Sequence, residues 1–245
     1  MFSALRRWVG RGTRNRHDPH DPHDGDGRRW VVLDCESSGL DPERDRLLSI
    51  AAVAVHVRGT GLHIVPADSF EMVLQQPEQV TPPDKANILV HGIGIGAQRA
   101  GVAPAIALQA FRAYANGAPL IGYHVSFDRR LLERAERAER AELSVLSVRS
   151  VLSEFSNGKR APRRQWLDLA ELAPVLRPDV PGKALDHWLA AYGIRCLARH
   201  QAAADALATA ELLLCLWPLV RSQTHGRPDF KALQRMAAAR RWLGA

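Results

Sequence analysis

Apolar residues along this chain fall first in short continuous blocks and only later in helical spacing. Trp30 to Leu33 is a compact run of β-type residues, closed by the turn signal that begins at Gly39. Leu47–Val57 is a second near-continuous apolar run of strand length, and Gly59–Gly61 turns it into a third strand over roughly Leu62 to Leu74. Three strands with tight connections predict an antiparallel meander. Residues 75–84 are Pro-rich and loop-like, and HGIGIG at His91–Gly96 lacks the spacing and Lys of a phosphate loop, so it reads as a loop or helix cap. Helical spacing runs from Val102 to Asn116, Pro119–His124 forms a fourth short strand, and Ser126 is placed to cap the next helix. On that helix the i,i+4 pairs Glu133–Arg137 and Glu136–Arg140 predict a solvated outer face. Residues 153–165 are polar and basic and read as a loop. Helices follow over Trp166–Leu176, Leu185–Tyr192 and about Gln201–Leu216, the last ended by Pro218, and a basic helix closes the chain behind Asp229. Strands first, then helices around a fourth strand, predict an α/β layered domain.

Candidate chemistry sits at the end of the first strand. Side chains alternate along a strand, so Asp34 and Glu36 point the same way and Cys35 the opposite way. Two carboxylates this close repel each other near a core unless one is protonated or a cation neutralises both, and a hard divalent ion such as Mg²⁺ or Mn²⁺ takes oxygen ligands. If the strand ends there instead, both acids lie in water. Asp128 falls in the first turn after the fourth strand, where a carboxylate also favours the helix dipole without any metal. Asp205 shares the inward face of its helix with Ala208, Leu212 and Leu216, and a buried carboxylate needs a partner. His200, five residues earlier, is about 140° out of phase with Asp205 and so belongs to the entering loop, either reaching over the same site or capping the helix. Trp166, Trp188 and Phe127 read as core residues, Asp168 and Asp186 as cap or surface acids.

Composition narrows the class. At 245 residues and 46% hydrophobic, the chain can bury one full core with material left at its ends. No apolar run approaches the ~20 residues that span a bilayer, and the basic N-terminus lacks a signal h-region. Cys35, Cys196 and Cys215 are odd in number without CxxC spacing, as expected of reduced thiols in a cytoplasmic protein. The net charge of +7 divides as +3 over residues 1–29, +5 over 221–245 and −1 between. The expected organisation is therefore a basic, His/Asp-rich extension (1–29, with His17, His20 and His23), a domain over 30–220, and a basic helical tail (221–245). Basic ends suit a polyanion partner, although solvated tails would look the same.

Three stretches taken together resemble a family. DCESSGL (Asp34–Leu40), GYHVSFD (Gly122–Asp128) and HQAAAD (His200–Asp205) are similar, in order and spacing, to the three motifs of the DEDDh 3′→5′ exonucleases, in the manner of the proofreading epsilon subunits of bacterial DNA polymerase III. ILVHGIG, ALDHWLAAYGI and DALATAELLL also look like that family, and the likeness covers about Trp30 to Pro218. Ser37 and Ser38 replace the usual Thr pair with the hydroxyls retained, Cys35 stands where Thr is common, and Val125 stands where Asn is common. The resemblance implies a ribonuclease H-like (DnaQ-like) α/β fold, with a mixed central sheet, its antiparallel meander flanked by helices. It further implies Asp34, Glu36, Asp128 and Asp205 as ligands of two Mg²⁺ or Mn²⁺ ions, with Asp34 bridging, and His200 as general base. Ser37, Ser38, Gly39, Leu40, His124 and Phe127 would contact the terminal nucleotide. The implied reaction is hydrolysis from the 3′ end of single-stranded DNA, in proofreading or repair, with a DNA polymerase or sliding clamp as potential partner and no membrane. RNA trimming in the manner of oligoribonuclease or ribonuclease T is the other enzymatic reading, and a nucleic-acid-binding module without catalysis is the third.

Overall fold

The computed structural model describes residues 28–77, 85–145, 164–226 and 228–243. Most of the N-terminal extension with its three histidines, the Pro-rich stretch 78–84 and the basic segment 146–163 lie outside the described residues. Five strands form one mixed sheet: β1 (Arg28–Ser37), β2 (Leu47–Arg58), β3 (Gly61–Val73), β4 (Leu120–Gly122) and β5 (Trp166–Asp168). Their order is β3-β2-β1-β4-β5. The meander is antiparallel, with Arg58 opposite Gly61 across a two-residue turn in which Gly59 takes a positive φ of 57°. β4 pairs parallel to β1 and β5 parallel to β4, which gives the sheet its mixed character.

Eight helices are described: α1 (Lys85–His91), α2 (Ile95–Ala100), α3 (Pro104–Ala115), α4 (Ser126–Val145), α5 (Leu169–Leu176), α6 (Leu185–Tyr192), α7 (Ala202–Gln223) and α8 (Phe230–Leu243). β1 is central and apolar on both faces, as a strand covered on both sides must be. Val31, Leu33 and Cys35 face a core half completed by Leu108, Phe111, Leu131 and Leu132 from α3 and α4. Trp30 and Val32 face the other half, built with α5, α6, α7 and α8. There Trp30 meets Trp217 edge-on at 5.7 Å and Phe230 at 5.3 Å. Removing an aromatic anchor of this kind costs about 3–5 kcal/mol. Phe230 and Leu233 are buried, so the basic C-terminal helix packs its apolar side into the main core. Arg28 and Arg29, grouped by sequence with the extension, begin β1.

Several elements differ from the sequence expectation. Trp166–Leu176 is not one helix: its first three residues form β5, and Asp168 then caps α5 by accepting from the Ala170 N–H at 3.0 Å. α7 runs past Pro218 to Gln223. Proline removes one bond to a carbonyl on the exposed Leu214 side, while burial of Trp217 and Val220 holds the helix together. At 22 residues α7 is long and apolar enough to cross a membrane, unlike the sequence estimate, but over half of that stretch is buried as the core helix. On α4, Glu136 and Glu139 are buried rather than solvated. Arg112 clasps Glu139 at 2.5 and 2.7 Å, and Arg164 holds Glu136 at 2.7 Å.

Candidate active site

Alternation along β1 brings the acids together. Asp34 and Glu36 continue the face of Trp30 and Val32, the face packed by α7, so both point toward the helix that carries Asp205. A register shift between Glu36 and Ser37 marks a bulge where the strand leaves its partner β2, a device that re-aims side chains at strand ends. Asp128 arrives from the first turn of α4. Gly122 allows the approach: a Cβ there would lie 2.7 Å from Val125 Cγ2 and 3.2 Å from the Leu33 carbonyl oxygen.

Asp128 and Asp205 are each 5% exposed. Asp128 Oδ1 accepts from the Cys35 N–H at 3.0 Å, a contact from the α4 end to the strand between its own two acids. Asp205 Oδ2 accepts from the His200 N–H at 2.9 Å, and Oδ1 faces Cys196 Sγ at 3.4 Å and the Arg199 guanidinium. Burial, then the nearby Asp128, Glu36 and Asp205 carboxylates, holds Asp34 well above its ordinary range. Burial and the charges of Asp205 and Asp128 push Glu36 up to about 8. Burial raises Asp128 as well, against the Cys35 backbone hydrogen bond that lowers it. Acids from three separated stretches of chain thus feel one another's charge.

His200 sits in the loop before α7 at a positive φ of 60°, and its side chain is exposed. The sequence placement in the entering loop therefore holds, and it is the backbone of His200 that grips Asp205. The strand-end loop is tied by a residue not singled out in the sequence: Asp45 accepts from Ser38 Oγ at 2.9 Å and from the Asp41 N–H at 2.8 Å. A Cβ on Gly39 would lie 2.5 Å from Asp45 Oδ2, so a larger residue there would have to push the Asp45 carboxylate out of its place in the turn. Ser37 is buried, with its Oγ donating to the Gly39 carbonyl at 2.5 Å, while Leu40 is 93% exposed. Asn87 of α1 donates to the Ser37 carbonyl at 2.9 Å, bringing the HGIG segment to the same rim. His124 is exposed at φ 55°, its N–H held by Asp168 at 2.9 Å. Phe127 packs against the α3–α4 core half, in line with its reading as a core residue.

Among the described residues no three acidic, imidazole or thiol side chains already enclose a single point. Asp128 and Asp205 each spend an oxygen on a backbone N–H, which leaves their other lone pairs as the usable donors. The donor set nevertheless suits a divalent cation. Glu36 Oε1 is buried with no hydrogen-bond partner among the described residues, and four carboxylates in one region carry more negative charge than burial tolerates. Arg199, which touches both Asp205 and Asp186, is the functional candidate that the sequence did not reveal.

Residues 31–213 match the exonuclease (RNase_T) family model, and the chain belongs to that family. An oligoribonuclease from Photorhabdus laumondii subsp. laumondii is 34% identical over 114 residues, covering 42% of this chain and 61% of that protein. Among solved structures, exonuclease I superposes with a TM-score of 0.58 at 18% identity, over 86% of this chain and 44% of that one. E. coli exonuclease I in complex with a dT13 oligonucleotide gives 0.57 at 19% identity, over 85% and 46%. The mixed sheet flanked by helices is thus the exonuclease fold. The chain spans about three fifths of that oligoribonuclease and under half of those exonuclease I chains.

Proposed function

We propose that this protein is a divalent-cation-dependent 3′→5′ exonuclease that hydrolyses phosphodiester bonds from the 3′ end of single-stranded DNA. The observation that carries it is geometric: Asp34 and Glu36 share one face at the end of β1, Asp128 is bonded to the backbone between them, Asp205 is buried on the helix packed over that face, and Glu36 Oε1 is buried without a hydrogen-bond partner among the described residues. Asp34, Glu36, Asp128 and Asp205 would hold Mg²⁺ or Mn²⁺, two ions in the full site. Bound there, such ions supply charge neutralisation at the phosphate and a lowered proton affinity for water. The residues of the chain do the rest. His200, on a loop anchored through its own N–H, takes the proton from the attacking water. Ser38, fixed to Asp45, and Gly39 keep the turn beneath the terminal nucleotide rigid. Leu40 presents bare apolar surface to a base, and the exposed His124 offers a further contact to the terminal nucleotide.

The oligoribonuclease relative favours a second reading, in which short RNA is the substrate. End-labelled single strands of equal sequence, one DNA and one RNA, incubated with Mg²⁺, Mn²⁺ or EDTA separate the two. Stepwise release from the 3′ end, blocked by EDTA and faster on DNA, supports the proposal. A faster RNA ladder moves the assignment to the second reading. Binding of both strands without cleavage in either metal removes the enzyme reading.

A further inference from the structure

Among the described residues, Arg199 brings a cation into this anionic site. Arg199, in the loop between α6 and α7, places Nη1 on Asp205 Oδ1 and Nε on Asp186 Oδ1, the latter at 2.5 Å. The two acids differ. Asp205 is buried at the cluster, whereas the Asp186 side chain is 64% exposed at the start of α6. The Arg199 side chain is itself 27% exposed, so the fork bridges solvent and cluster. It ties up the very oxygen of Asp205 that the His200 N–H leaves available, since that N–H takes Oδ2. A guanidinium is always charged and cannot leave by losing its proton; it can only be displaced. A unit positive charge on a ligand carboxylate opposes the approach of a dication.

We propose that Arg199 is an internal counter-ion of the acid cluster, which a divalent cation must displace from Asp205 Oδ1 while Asp186 keeps the guanidinium at the rim. The proposal rests on the cation-binding reading of the site given above. The fork geometry permits the exchange: Nη1 is released while Nε stays on Asp186, so the charge moves outward without a change in backbone. Arg199 then sets how tightly the protein takes its cation, and it offsets part of the negative charge of the cluster beforehand.

The test is Mn²⁺ binding to the full chain without nucleic acid, measured by calorimetry. Arg199→Gln should tighten binding on the order of tenfold, the scale expected from removing one charge beside a ligand carboxylate. Arg199→Lys, which keeps the charge, should stay within about twofold of the parent. In the parent, stepwise Mg²⁺ should also shift the side-chain ¹⁵N signal of Arg199, identified by its loss in Arg199→Lys, with the midpoint of binding. That signal is readable even if Arg199→Gln does not fold. A parent that binds Mn²⁺ while Arg199→Gln binds it equally or more weakly, or an Arg199 signal indifferent to Mg²⁺, overturns the counter-ion alone. A parent that binds no Mn²⁺ overturns the counter-ion and the nuclease reading together.

Discussion

Replacing Glu36 with glutamine should stabilise the fold in EDTA while abolishing the response to Mg²⁺. Burial and the carboxylates of Asp205 and Asp128 lift Glu36 from 4.5 to about 8, so the folded state prefers it protonated. Stability from that preference is fully present below pH 4.5 and is lost as pH rises through about 8. At 1.36 kcal/mol per pH unit the full shift corresponds to about 5 kcal/mol, and screening at a half-buried side chain lowers the realistic figure to about 1–2 kcal/mol. Glutamine keeps the shape, never ionises, and brings an amide donor toward Asp205. In EDTA at pH 8.5 or above, roughly past the shifted value, Glu36→Gln should melt about 2–8 °C higher than the parent, since 1 kcal/mol is worth ~2–4 °C in a chain of this size. At about pH 4.5 the two should coincide. With Mg²⁺ added at high pH the parent should gain stability and the variant should gain little, and nucleotide release by the variant should be lost. Scanning calorimetry at the two pH values, with EDTA or Mg²⁺, reads all of this. A variant that melts at or below the parent at high pH, or an equal gain at both pH values, refutes the reasoning.

Three further substitutions separate roles. His200→Ala should lower the hydrolysis rate about 10²–10⁴-fold with Mg²⁺ stabilisation intact, because the backbone N–H on Asp205 remains; loss of Mg²⁺ stabilisation would assign His200 to cation binding instead. Asp168→Ala leaves the His124 and Ala170 N–H groups without their acceptor and should cost about 1–3 kcal/mol in urea unfolding; an unchanged midpoint would show that neither bond matters. Asp68 is held below its ordinary 3.8 chiefly by its hydrogen bonds from Arg29, so its contribution is present above 3.8 and lost as pH falls through the lowered value. Asp68→Asn should therefore cost about 1 kcal/mol at neutral pH, a gap that closes on acidification, and a gap independent of pH would contradict the pairing.

Much of this molecule was legible before any coordinates. β1 and β2 followed from unbroken apolar runs, because strands buried on both faces leave that signature, and β3 followed from the Gly-Thr-Gly turn. Asp34 and Glu36 followed from strand alternation, and Asp205 from a helical stripe whose neighbours are all apolar. What escaped was non-local. β5 is three residues long, and its strand state depends on β4 lying beside it, which a stretch such as Trp-Leu-Asp cannot announce. Glu136 looked like part of a solvated face until Arg164 reached across to it, and Glu139, which drew no notice, is buried beside it against Arg112 of α3. Pro218 looked like a helix end because the packing of Trp217 and Val220 is invisible in sequence. Arg199 drew no notice because its meaning lies in Asp186, thirteen residues away, meeting Asp205 over the same guanidinium.

The central claim is tested most directly by anomalous diffraction from crystals of the full chain soaked in Mn²⁺. Peaks bounded by the carboxylates of Asp34, Glu36, Asp128 and Asp205, and lost in crystals of Asp34→Ala, are the expected result. Manganese bound elsewhere, or peaks that survive the loss of Asp34, would contradict it.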